Sequence, residues 1–123
     1  MNSPKEAADL DSALSVSRTV DGAVMVLSLT GELDIATLGV AERELEAVEA
    51  DAPEVLLLDF ASLDFVDSSG VRLVLQADAR ARQAGRHLAV APGRALHRRM
   101  FEVLGLTERL NLVDDVDALR SGP

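Results

Sequence analysis

The sequence has no cysteine and almost no aromatic residues. Its 123 residues include no Cys, Trp or Tyr and only three Phe. Disulfides and thiolate chemistry are therefore excluded, and 2% aromatic content offers no platform for stacking nucleic-acid bases. The two histidines, His87 and His97, cannot form a zinc site alone. The core must be built mainly from Leu, Val and Ala.

Long apolar runs and a basic charge balance are also lacking. No run approaches the roughly 20 apolar residues of a membrane-spanning helix, and we expect no signal peptide before the domain. A net charge of −9 argues against direct nucleic-acid binding. We therefore expect a cytoplasmic protein without membrane insertion, and we expect neither a metal nor a cofactor.

The composition suits one domain with a distinct charge distribution. Hydrophobic residues make up 48% of the chain, and a domain of this length buries roughly two-thirds of its unfolded surface. Residues 1–70 carry 15 acidic and three basic side chains, whereas residues 71–123 carry six and nine. Seven arginines lie between Arg72 and Arg99, against the single acidic residue Asp78. Solvated helix faces are the simplest interpretation, and a partner surface steered by charge is the alternative.

A buried strand near the middle of the chain leads into a helix. The apolar run Val55 to Leu58 predicts a strand buried on both faces. A loop from Phe60 to Asp67 is expected to follow it, with three apolar side chains anchoring the loop: Leu63, Phe65 and Val66. The helix is predicted from about Ser69 to Ala84, with Gly85 as its C-terminal cap.

The start of this helix carries the only candidate site that the residues themselves indicate. Asp67 and Ser68 have side-chain oxygens that can accept from free N–H groups of the first turn, and we expect Ser68 to be mainly a cap. A helix N-terminus favours negative charge, including phosphate. Val71 and Leu75 fall opposite the apolar stripe of the helix, so they are expected to be exposed and to form a contact site.

The segments before this unit predict a hairpin and a helix. Leu14 to Arg18 alternates as a strand, Asp21-Gly22 is typical of a two-residue turn, and Ala23 to Thr30 returns inside the sheet. The next helix ends near Ala50, and Asp34 or Thr37 is expected to cap it. Its core-facing stripe consists of Leu38, Ala41, Leu45 and Val48.

The segments after this unit predict two more strands and two more helices. A strand runs from Leu88 to Ala91, and Leu110 to Val113 forms a last short strand. Between them lies a helix ended by Gly105, whose expected core stripe is Leu96, Met100, Val103 and Leu104. Asp114 or Asp115 is expected to cap a brief final helix.

Together these elements predict one α/β domain with a mixed sheet. An opening antiparallel hairpin is followed by strands that alternate with helices, which implies parallel pairing with right-handed crossovers. Residues 1–11 are expected to be a flexible tail and residues 12–120 the folded domain.

Enzymatic chemistry finds little support in these residues. Neither Ser68 nor Ser69 has the glycine two positions before it that a nucleophile elbow requires. Both histidines are expected at the surface. Three carboxylates suggest a metal or phosphoaspartate site, those of Asp59, Asp64 and Asp67. However, the sequence lacks a paired acidic cluster on the first strand and a suitable Lys. The chain is therefore expected not to be an enzyme.

Several motifs together resemble a STAS domain of the anti-sigma factor antagonist type. They span about Leu14 to Leu119, and the Asp-Ser-Ser-Gly loop after a buried strand is the specific part. The others are supporting: Gly31-Glu32-Leu33-Asp34, Val-Leu-Leu-Leu-Asp-Phe, Phe65-Val66 before the loop, and Gly105-Leu106. The resemblance implies a mixed sheet with helices mainly on one side.

The resemblance also implies a function. Members of this family bind a serine kinase that is also an anti-sigma factor, and their unphosphorylated form releases the sigma factor in this way. Phosphorylation of the second serine, here Ser69, ends the binding, and a phosphoserine phosphatase reverses it. Four neighbours of the phosphorylation site follow: Asp34, Asp67, Ser68 and Gly70. The expected partner-binding residues are Val66, Val71, Arg72 and Leu75.

Two alternatives stay open at this point. The domain could be a STAS subunit of a transporter, or a scaffold of a larger signalling complex, that uses the same surface without controlling a sigma factor. A small serine hydrolase is disfavoured by the missing elbow.

Asp64 departs from the family pattern, which often has an uncharged residue at this place, and it adds negative charge near the loop.

Overall fold

The structure, a computed structural model, describes residues 13–120. Its elements in chain order are β1 (Leu14–Asp21), β2 (Val24–Leu33), α1 (Leu38–Ala50), β3 (Val55–Val66), α2 (Ser68–Gln83), β4 (His87–Ala91), α3 (Ala95–Val103) and α4 (Val116–Arg120). The predicted order is confirmed except for the last strand. The tail predicted for residues 1–11 lies outside the described residues.

The four strands form one mixed sheet in the order β1-β2-β3-β4. Strand β1 is antiparallel to β2, and the other two pairings are parallel. Asp21 pairs with Val24, so the hairpin turn consists of Gly22 and Ala23, and Gly22 adopts the positive φ of 63° that such turns require. The predicted hairpin and the interior position of β2 are both confirmed, but the turn lies one residue later than the predicted Asp21-Gly22 pair.

Side chains alternate along β2 between two apolar clusters of different size. Leu27 and Leu29 join the large cluster, which α1, α2 and α3 cover, whereas Val24 and Val26 join the small one. Residues from the C-terminal segment pack on the small cluster: Val113, Val116 and Leu119. Among residues 13–120, three helices therefore lie on one face of the sheet and only α4 on the other, which confirms the expected arrangement.

Strand β3, with 12 residues, is more than twice as long as the sequence indicated. The predicted loop from Phe60 is a continuation of the strand to Val66, because β2 also continues and pairs with it as far as Leu33. The register shifts twice along this pairing, and such irregularities break the alternation by which a strand is recognised. Leu63 and Val66 are buried as expected, but Phe65 is half exposed, so its prediction as a buried anchor was wrong.

Helix α3 packs mainly with a face next to the predicted one, and Met100 alone of the predicted stripe packs against the core. It buries His97 and Phe101, whereas Leu96 and Val103 are 74% and 72% exposed. Phe101 reaches Phe60 across the core at a ring-centroid distance of 6.4 Å. The ring of His97 can be buried because its Nε2 forms a hydrogen bond of 2.7 Å with the Leu63 carbonyl oxygen, which offsets the cost of burying a polar group. The expected surface position of His97 was therefore wrong.

The C-terminal segment is only partly regular. The predicted last strand is reduced to a single bridge between Val90 and Leu112, so that prediction was wrong. The brief helix α4 is confirmed, and the carboxylate of Asp115 accepts a hydrogen bond from the Ala118 N–H at 3.3 Å.

Candidate functional site

The carboxyl ends of β2 and β3 meet the N-terminus of α2. The N–H of Asp67, directly after β3, donates to the carbonyl of Leu33 at the end of β2 over 3.1 Å. Gly70 lies in this corner, where an added Cβ would come within 2.7 Å of a Val66 methyl group and 2.9 Å of a Leu33 methyl group. Any larger residue would force the Val66 and Leu33 side chains to shift, which accounts for the glycine after the two serines.

Asp67 is the N-cap of α2. Its backbone is extended, and its Oδ1 accepts from the Ser69 N–H over 2.8 Å. Ser68 is the first residue of the helix and is exposed. The expectation that Ser68 serves mainly as a cap was wrong, because a residue already within the helix cannot turn its hydroxyl back to the first-turn N–H groups while the Asp67 carboxylate holds that place.

The two serines offer unengaged hydroxyl groups. Ser68 is exposed and Ser69 is half-buried. Within residues 13–120, neither hydroxyl is hydrogen-bonded, to a histidine, a carboxylate or any other group. No base is therefore in place to activate either serine as a nucleophile. Each hydroxyl sits in the first turn of α2, where the helix dipole favours an added negative charge.

Asp34 lies in the neighbouring loop but its carboxylate is engaged there. Its Oδ1 accepts from the N–H groups of Ala36 and Thr37 at 3.0 and 3.1 Å. The hydroxyl of Thr37 in turn donates to the carbonyl of Glu32 over 2.9 Å. These bonds rigidify the loop after β2, and the backbone bond from Asp67 to Leu33 places that loop beside the start of α2. The side chain of Ile35, 75% exposed, forms its tip.

The residues expected to contact a partner differ in exposure. Arg72 is exposed. Val66 and Val71 are each only 4% exposed and belong to the large core cluster, and Leu75 is partly buried against it. The expected exposed pair of Val71 and Leu75 was therefore wrong, because one side chain belongs to the core cluster and the other packs against it.

An apolar groove that sequence reasoning missed lies beside the serines. It has a volume of about 520 Å³ and runs between the end of β3 and helix α3. We call it the α3 groove; its lining comprises Asp64, Phe65, Val66, Ser68, Leu96, His97, Arg99, Met100, Val103 and Leu104. The signal was present in the sequence as the apolar stripe of α3, but it was assigned to the core.

The arginines of the basic window fall into two groups. Four of them form ion pairs: Arg80 with Glu49, Arg82 with Asp78, Arg94 with Asp64, and Arg98 with Asp114. A fifth, Arg86, donates to a backbone carbonyl. Arg72 and Arg99 have no ion-pair partner among residues 13–120, and both are exposed. The two unpaired charges lie at the serine loop and at the α3 groove.

Residues 13–120 offer neither a metal-binding cluster nor a membrane-spanning helix. This part of the chain contains no group of three or more His, Asp or Glu side chains arranged to hold a metal ion. None of its helices has the length and apolarity needed to cross a membrane.

The fold and the serine loop define a STAS-type α/β domain. The hairpin-led mixed sheet carries three helices on one face, and its third strand delivers an Asp-Ser-Ser-Gly turn to a helix N-terminus. The chain belongs to the STAS domain family, since the family model described as "Mlab, STAS domain" matches residues 16–114.

Comparison with known proteins gives relatives of the same kind. The chain is 29% identical over 108 residues to the anti-sigma-F factor antagonist RsfB of Mycobacterium tuberculosis, covering 87% of this chain and 88% of RsfB. An anti-sigma factor antagonist from Mycobacterium paratuberculosis has the same fold, with a TM-score of 0.76, 23% identity, and coverage of 98% and 97% of the two chains. The Bacillus protein SpoIIAA in its phosphorylated form gives 0.65 and 22%, with coverage of 89% and 98%. These relatives are binding proteins and not enzymes, in agreement with the expectation for this chain.

Proposed function

We propose that this protein is an anti-sigma factor antagonist that phosphorylation of Ser69 switches off. In the unphosphorylated form it binds an anti-sigma factor with serine-kinase activity, so that the sigma factor is released. A phosphate on Ser69 ends this binding, and a phosphoserine phosphatase restores it. The protein acts in the cytoplasm through protein partners, without binding nucleic acid directly.

The observation that carries the proposal is the position of an unengaged serine hydroxyl at the start of α2. Ser69 makes no side-chain hydrogen bond within the described residues, and it lies in the first helical turn after the Asp67 cap. A relative of the same fold, SpoIIAA, is known in a phosphorylated form. The kinship with RsfB supports the same class of partner.

The physical effect of the phosphate differs between the fold and the interface. A phosphoserine carries about −1.5 to −2 charges at neutral pH. The helix N-terminus tolerates this charge, so the fold should persist. A partner surface closed over the loop would have to desolvate it beside the carboxylates of Asp67 and Asp34, and an unpaired charge at an interface is costly.

Phosphorylation by purified anti-sigma kinases tests the acceptor. Each kinase of the source organism is incubated with the protein and ATP, and the modified residue is mapped by mass spectrometry. We expect phosphate on Ser69, none on Ser69→Ala, and unchanged modification of Ser68→Ala. Ser68 is the more exposed of the two serines and is therefore the competing acceptor. Phosphate on Ser68 alone would refute the assignment to Ser69.

Calorimetric measurement of the affinity between this protein and its cognate kinase tests the switch. Unphosphorylated wild type and Ser69→Ala should bind, whereas the phosphorylated protein and Ser69→Glu should bind at least about tenfold more weakly. Equal affinity for both forms would refute the mechanism even if Ser69 carries the phosphate. Binding to a transporter subunit, with no anti-sigma kinase bound, would favour the other role of STAS domains.

A further inference from the structure

Helix α3 exposes an apolar face. Leu96 and Val103 are 74% and 72% exposed, and Leu104, which follows the helix, is 53% exposed. With the partly buried Met100, they recur at spacings of four, three and one residues, which places them on one side of the helix. A neighbouring face of the helix, with His97 and Phe101, already fills the core. Part of the solvent-facing surface of the helix is therefore a contiguous apolar patch, a feature typical of surfaces that meet a partner.

The second wall of the α3 groove comes from the end of β3. Phe65 is half exposed beside the helix, and Val66 and His97 also line the groove. Helix-in-groove recognition lays apolar anchors at positions i, i+3 or i+4, and i+7 into such a channel. A channel between a strand end and a helix, about 520 Å³ in volume, matches this mode of binding.

The charges at the groove indicate the chemistry of its occupant. Arg99 lines the groove, and Arg72 stands one helical turn after Ser68, on the same side of α2. Among residues 13–120, these are the two arginines of the basic window whose side chains make neither an ion pair nor a hydrogen bond, since Arg86 donates to the Glu49 carbonyl. A partner segment with carboxylates at the edges of its apolar face would complement them.

The groove is continuous with the phosphorylation loop. Ser68 lines it, and Ser69 is the next residue of the helix. A phosphate added at this loop would stand close to the acidic edge of such a segment and would repel it. The groove thus connects the site of modification to an apolar contact surface.

We propose that the α3 groove binds an amphipathic, acidic helix of the anti-sigma factor, with its apolar anchors against α3 and its carboxylates near Arg99 and Arg72. This inference rests on the proposed function and identifies the contact surface that the phosphate controls. It moves the apolar part of the interface from helix α2, where the sequence had placed it, to helix α3 and Phe65.

The test uses the full chain and the kinase identified by the phosphorylation assay. Leu96→Ser and Val103→Ser change exposed side chains, so both should fold normally, and calorimetry should show about tenfold weaker binding for each. Val20→Ser is the matched control: Val20 is 69% exposed on β1 and pairs with Met25, at the opposite end of the sheet from the groove. It should leave the affinity within about twofold of wild type.

Two further measurements separate the charge argument from the apolar one. Arg99→Glu should weaken binding and reduce the salt dependence of the association rate, because steering acts over a Debye length of about 8 Å at physiological ionic strength. In the complex, amide hydrogen exchange should slow within residues 95–104, where the partner helix would cover α3.

The outcomes distinguish this inference from the function on which it rests. If no anti-sigma kinase binds wild type, the proposed function itself is wrong. If wild type binds and the groove variants bind equally well, the function stands and the groove inference is refuted. Exchange protection confined to residues 67–72 would refute it as well.

Discussion

Asp67 allows a sharp test of how the serine loop is held. Its Oδ1 accepts the Ser69 N–H over 2.8 Å, whereas the Ser68 side chain makes no hydrogen bond within residues 13–120. The backbone bond from the Asp67 N–H to the Leu33 carbonyl does not involve the side chain. Substitution of Asp67 therefore removes the cap and leaves the tie between the two loops in place.

The expected magnitudes follow from this geometry. Asp67→Ala loses a helix cap, which costs about 1 kcal/mol, and a negative charge at the helix N-terminus, which contributes about 0.3–1 kcal/mol. Asp67→Asn keeps the acceptor oxygen and should lose only the charge contribution. Ser68→Ala should change the free energy of unfolding by less than about 0.5 kcal/mol.

Urea denaturation monitored by circular dichroism measures all three variants under the same conditions. With a slope of about 1–3 kcal/mol/M, Asp67→Ala should lower the midpoint by roughly 0.4–2 M, and Asp67→Asn by clearly less. The reasoning is refuted if Ser68→Ala destabilises as much as Asp67→Ala. It also fails if Asp67→Asn and Asp67→Ala are equally destabilised, because the hydrogen bond would then contribute nothing.

Two more predictions concern residues that the sequence placed at the surface and that are buried in the structure. Val71→Ala should lower the free energy of unfolding, measured by calorimetry, by about 1–3 kcal/mol, because the side chain is 4% exposed. An unchanged melting temperature would show that Val71 is not part of the core. His97→Ala should cost about 1–3 kcal/mol because it leaves the buried Leu63 carbonyl unpaired, while the exposed control His87→Ala should stay within about 0.5 kcal/mol. Equal effects of the two histidine substitutions would contradict the observed packing of α3.

Local signals account for most of what could be predicted. The Asp21-Gly22 pair predicted the hairpin because a two-residue turn needs a positive φ, which Gly22 adopts. The segment from Ala23 to Thr30 was predicted to lie inside the sheet, and both faces of β2 contact apolar clusters in the structure. Gly85 and Gly105 predicted the ends of α2 and α3, and both have positive φ. Each of these depends on neighbours within a few residues.

The candidate site was predicted in part by the same local signals. The Asp-Ser-Ser-Gly motif located the start of α2 to within one residue. The choice between Asp67 and Ser68 as the cap depended on the path of the backbone at the end of β3, since the cap must precede the first helical residue. That path is fixed by the bond from Asp67 to Leu33, which joins segments distant in sequence.

The features that only the tertiary structure decided all depend on a partner element. Strand β3 reaches Val66 because β2 runs beside it, and a strand exists only through its pairing. Helix α3 has two faces that could pack on the sheet. The face with Phe101 and His97 is buried, because Phe101 contacts Phe60 and His97 is hydrogen-bonded to the Leu63 carbonyl. The sequence thus determined where the turns, caps and helix ends fall. The packing of α3 on the sheet determined which apolar stripe stayed outside, and with it the groove beside the serines.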